Sequence, residues 1–111
     1  MDVTISGRHM EVTDAMESHI RERIGKLPRF DDRIQAVSVT LASDAGEEQI
    51  EVIAKCHRNV LVAEARSHDM YDSIDEAFAK LERRVARLHD KLVDRHSREA
   101  QRAAEHDRQP Q

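Results

Sequence analysis

DMYDSIDEAFAKLERRVARLHDKLVDRH, residues 69–96, decides the fold of this 111-residue chain. Ile74, Phe78, Leu81, Val85, Leu88 and Leu92 recur at alternating steps of four and three, which keeps them on one side of an α-helix. Neither Gly nor Pro interrupts the run. Asp69 stands at an N-cap position, with Asp72 three residues on. At ~1.5 Å per residue the helix spans roughly 40 Å, which is long for a domain of this size.

The charges on this helix are sorted. Advancing about 100° per residue from Ile74, Lys80, Arg84, Arg87, Lys91, Arg95 and Arg98 fall in one sector of roughly 80°. Asp72, Asp75, Glu82 and Asp90 lie towards the opposite flank, while Glu76, Arg83 and Asp94 lie near the back. A solvated helix usually interleaves its signs, because opposite charges at i,i+4 support each other. Six cations with no acid among them suit a polyanion, whose phosphates call for clustered positive charge. An exposed helix that is merely basic is the plainer alternative.

Composition gives no such hint. The net charge is −4, so the average field offers nucleic acid no attraction. Distribution matters more: residues 40–79 hold nine acids and three bases, whereas residues 80–98 hold seven bases and three acids. The aromatics are only Phe30, Tyr71 and Phe78, so the core of this single domain has to be aliphatic. Cys56 is the one cysteine, which excludes an internal disulfide and suits a reducing compartment. No signal-peptide pattern and no long apolar run occur, and the expected location is the cytoplasm.

Upstream of the long helix, Asp2–Gly7 alternates as a short strand. Thr13 can cap a first helix running to about Leu27, with Met16, Ile20, Ile24 and Leu27 inward, and Pro28 ends it. His19, Arg23 and Lys26 form a smaller basic stripe on that helix. Ile34–Leu41, Gln49–His57 and Val60–Ser67 alternate as three further strands, separated by an acidic loop at 43–48 and a turn at Arg58-Asn59. Ala63 and Ala65 leave room for a helix to press close. The predicted class is α+β in the order β-α-β-β-β-α, a four-stranded sheet with both helices on one face and the first two strands parallel. Residues 1–96 form the domain, and 97–111 a polar tail that extends the helix briefly and then frays beyond about Ala104.

Catalysis and metal binding find little support. Cys56 points to the predicted core, the three glycines are isolated, and the acids show no specific pairing, so an enzyme is not expected. His57 neighbours Cys56, but adjacent strand residues face opposite sides. His89 and His96 are too far apart to chelate, and neither CxxC nor HxxxH is present, so no metal or other cofactor is expected. Tyr71 is expected to pack over the sheet edge, with base stacking as the alternative.

The opening strand, TDAMESHIRERIGKLPRFDDRI (residues 13–34) and, above all, HDMYDSIDEAFAKLERRVARLHDKL (residues 68–92) resemble the ribosome hibernation-promoting factor family, also called ribosome-associated inhibitor A or sigma-54 modulation proteins. The resemblance implies a fold like a double-stranded-RNA-binding domain. It implies a factor that sits on 16S rRNA in the mRNA/tRNA channel of the small ribosomal subunit and inhibits translation in stress or stationary phase. The matching RNA-binding positions are Arg23 and Lys26 on the first helix and Lys80, Arg83, Arg87 and Lys91 on the second. Arg84 joins them on helical geometry alone. The family's long form carries a further dimerisation domain, so the resemblance points to a short form. One kind of short form pairs ribosomes with a small ribosome modulation factor, while the other blocks pairing through its tail. The rival function is a protein-interaction module that modulates a sigma factor or another basic partner through the acidic 44–76 region.

Overall fold

Seven elements follow one another: β1 (Asp2–Arg8), α1 (Asp14–Lys26), a 3-10 turn (Leu27–Arg29), β2 (Ile34–Asp44), β3 (Glu47–Cys56), β4 (Asn59–Ser67) and α2 (Met70–Arg108). This computed structural model describes the backbone of residues 1–108 and the side chains of residues 1–95. The strands lie side by side in the order β1-β2-β3-β4, with β1 parallel to β2 and the other junctions antiparallel. The expected β-α-β-β-β-α, α+β architecture is therefore present.

Strand alternation builds the floor of the core. Val39 pairs with Val52, and Val52 with Ala63, and all three are fully buried. Leu41, Ile50 and Ala65 form a second buried row, and Val37, Ala54 and Leu61 a third, with Leu61 half-buried. The helices close over these rows. Ile20 and Ile24 of α1, Leu27 after it, and Met70, Ile74, Ala77, Phe78, Leu81 and Val85 of α2 join one cluster with the strands. Each large aliphatic side chain removed from water contributes about 1.5–3 kcal/mol. α2 lies over β3 and β4, where Ala63 and Ala65 keep the floor low, and beside α1.

Both caps form as expected. Thr13 accepts the Met16 N–H at 3.1 Å, and Asp69 Oδ1 accepts the N–H groups of Tyr71 and Asp72 at 2.8 and 3.3 Å. A third fastening went unread in the sequence. Buried Ser73 donates to the Glu48 carbonyl at 2.6 Å and lies 2.6 Å from Ser67 Oγ, which pins the first turn of α2 to the sheet.

The turns depart from expectation. The polar stretch 43–48 is no open loop: β2 and β3 run on through Asp44 and Glu47, leaving only Ala45 and Gly46 between them. Both take positive φ, 51° and 84°, the twist a tight two-residue hairpin needs. The second hairpin turns at His57-Arg58, one residue earlier than expected, and His57 takes the positive φ (58°) in place of Asn59. α2 also continues to Arg108, past the fraying point expected near Ala104, and residues 109–111 lie outside the described chain. Its apolar stripe thins first: Leu88 is only partly covered, Leu92 is half-buried and Val93 is exposed. The helix leaves the sheet near Leu88.

Candidate nucleic-acid interface

Over the last buried turn of α2 and beyond it, the helix carries exposed cations. Arg83, Arg84, Arg87 and Lys91 are exposed, and among the described residues none of them lies within ion-pairing distance of a carboxylate. Arg95 continues the line and has an interaction of its own. The side chain of Arg98 lies outside the described residues. A row of this kind, on a rigid helix, presents guanidinium and ammonium donors without the entropic penalty of ordering a loop.

The remaining expected positions are engaged elsewhere. Lys80 is half-buried, donates to the Glu64 carbonyl at 2.9 Å and lies 3.4 Å from Glu76. Lys26 is exposed and loosely paired with Glu22 at 3.9 Å. Arg23 is the most enclosed of these cations. Its side chain is only 19% exposed and bridges Asp75 at 3.2 Å and Glu82 at 3.0 Å. Its Nε is buried with no hydrogen-bond partner, and its guanidinium carbon sits 6.0 Å from the Phe78 ring centroid. His19, one turn earlier, meets the same Asp75 at 2.8 Å.

The sorted charges of α2 now have a physical account. Its acidic flank, Asp75 and Glu82, faces α1 and is met by the His19–Arg23 part of the basic stripe there. The basic flank is left over on the far side. Arg23 and Arg87 are alike in residue type and both lie on basic stripes, but helical rotation ranks residues only within a helix and does not fix which neighbour a flank meets. Tyr71 has a partner on α1 as well: its ring packs edge-on against His19 at 5.5 Å.

A second constellation lies at the His57 turn. Asp31 is buried, with a side chain 2% exposed. Its Oδ1 accepts the Arg33 N–H at 2.8 Å, and its Oδ2 is bonded to His57 Nε2 at 2.7 Å and His89 Nδ1 at 3.0 Å. Burial alone would raise this carboxyl, but the hydrogen bonds from His57, Arg33 and His89 outweigh it and hold the pKa at about 2. Cys56 lies beside it, fully buried, its thiol pushed up to about 11 by burial and by the Asp31 charge. One donor atom each from Asp31, Cys56 and His57 falls within 4.8 Å of the others. Strand alternation predicts opposite faces for Cys56 and His57, but the left-handed backbone at His57 (φ 58°) brings its ring to the Cys56 side.

Residues 3–93 match the family described as sigma 54 modulation protein / S30EA ribosomal protein. The chain belongs to that family. A family member named ribosome hibernation promoting factor, from Azotobacter vinelandii, is 35% identical over 95 residues, covering 86% of this chain and 89% of the relative. Another, the ribosome hibernation promotion factor of Bacillus subtilis, is 38% identical over 103 residues, and this chain spans about half (53%) of its length. Among solved structures, the Thermus thermophilus Protein Y N-terminal domain superposes with a TM-score of 0.73 at 26% identity, covering 79% of this chain and 99% of that one. A ribosomal subunit interface protein from Coxiella burnetii has the same TM-score at 19% identity, covering 81% and 99%, and shares the fold. No described helix of this family member is long and apolar enough to cross a membrane.

Proposed function

We propose that the chain is a non-catalytic ribosome hibernation factor: it docks on the 16S rRNA of the small subunit at the mRNA/tRNA channel and inhibits translation. The observation that carries this reading is the exposed row Arg83, Arg84, Arg87 and Lys91, which meets no carboxylate among the described residues, in a family whose relatives are named for ribosome hibernation. Phosphate contacts from such a row position a protein on structured RNA without reading its bases. Lys80, one helical turn before Arg84 on the same flank, extends the row towards the start of α2. Arg23 contributes to it indirectly, by holding α1 against α2.

The rival reading, an acidic surface for a basic protein partner, loses ground because much of that acid is spent internally. Asp69 caps α2, Asp75 holds His19 and Arg23, Glu76 pairs with Lys80, and Glu47 lies 3.8 Å from Arg66. The deciding experiment converts Arg83, Arg87 and Lys91 together to Glu and follows co-sedimentation with small subunits. Loss of pelleting with an unchanged circular-dichroism spectrum supports the reading. A folded triple variant that still pellets with subunits overturns it.

A further inference from the structure

The constellation at the His57 turn has no part in the basic row or in the helix clamp. It gathers a carboxylate, a thiol and two imidazoles: Asp31 before β2, Cys56 at the end of β3, His57 in the turn that follows, and His89 on α2. We propose that Asp31, Cys56 and His57 hold a single zinc-class divalent ion, with His89, bonded to the same Asp31 carboxylate, available for the fourth position.

The donor set is the first support. Cysteine sulfur, imidazole nitrogen and carboxylate oxygen are the three protein ligands zinc takes, at bond lengths of ~2.0–2.3 Å in a tetrahedron. Such bonds bring ligand atoms to within roughly 3–4 Å of one another, so donor atoms already within 4.8 Å need only side-chain adjustment. Calcium and magnesium favour all-oxygen shells and fit this set poorly.

Charge balance is the second. A thiolate, a carboxylate and two neutral imidazoles cancel a dication, so the occupied site is neutral, which a buried location demands. A bound dication takes the thiol proton's place and releases it to solvent. Access exists: Asp31 and Cys56 are buried, but His57 is 22% exposed and His89 46% exposed.

The alternative is that Asp31 only bridges two histidines by hydrogen bonds. That arrangement makes no use of the thiol, and the test turns on this difference. Metal-stripped full-length protein is titrated with Co²⁺, and with Zn²⁺ against a chromophoric chelator. Expected are one ion per chain, tetrahedral d–d bands, and a thiolate-to-cobalt charge-transfer band in the near ultraviolet. Cys56→Ser should abolish that band, and Cys56→Ser and His57→Gln should each weaken Zn²⁺ by more than the roughly 10–100-fold that outer-sphere partners command, while His9→Gln changes nothing. Absence of the charge-transfer band in the unaltered protein overturns the proposal, and this readout requires no variant to fold. Folded Cys56→Ser protein that retains unaltered Zn²⁺ affinity overturns it equally.

Discussion

Arg23 and Glu82 meet at 3.0 Å between α1 and α2, each with 19% of its side chain exposed. The pair joins residues 59 positions apart, and Asp75 shares the same guanidinium. In a half-sheltered position, removing one partner strands the others, so the effect should exceed that of an exposed pair. Arg23→Ala is expected to destabilise the fold, and a double-mutant cycle with Glu82→Ala should return a favourable coupling of about 1–3 kcal/mol. Denaturant titration of the four proteins measures it. Additive effects would mean that the two side chains are neighbours without being partners.

The exposed cations of α2 predict a salt signature. If Lys91 contacts a phosphate, Lys91→Ala should lower the slope of log affinity against log salt by about 1. Binding to small subunits measured across a salt series supplies the slope. Lys26→Ala, on α1 and loosely paired with Glu22, should change it less.

Asp31 predicts an acid-sensitive component of stability in chelator-treated protein. Its folded pKa, about 2, lies below the ordinary value of 3.8. The stabilisation is therefore fully present above about pH 5, shrinks as pH falls through 3.8 towards 2, and is gone below that. Its size at neutral pH is about 2 kcal/mol. Asp31→Asn should lose that amount at pH 7, and the gap between variant and parent should close as pH approaches 2. Urea unfolding at a series of pH values reads the gap directly.

The N-cap of α2 gives a smaller test. Asp69 satisfies two N–H groups at the helix start, so Asp69→Ala should cost about 1 kcal/mol. Thermal unfolding of the variant measures it, and Asp69→Asn should restore most of the loss, because the amide oxygen accepts the same bonds.

Element order, strand faces and both caps were legible in the sequence because each depends on local period and chemistry: Val37-Val39-Leu41 alternates, Ile74-Phe78-Leu81-Val85 winds, and Thr13 and Asp69 cap. Tertiary partners were not legible. Arg23 and Arg87 look alike along their helices, yet Glu82 claims the first and no described carboxylate the second. The polar SDAGEE stretch reads as a loop because nothing local reveals that β2 and β3 pair out to Asp44 and Glu47. The Asp31 cluster was hidden for a related reason: one left-handed residue, His57, breaks the strand's alternation and sends a ring to the face its position denies it.

Lys80 bears on how the folded chain keeps to itself. β4 is one of the two edge strands, with only β3 beside it, and Lys80 donates to the carbonyl of Glu64 on that strand. An ammonium held over this margin places a charge where a foreign strand would have to lie. Lys80 therefore guards the β4 margin against strand-on-strand association.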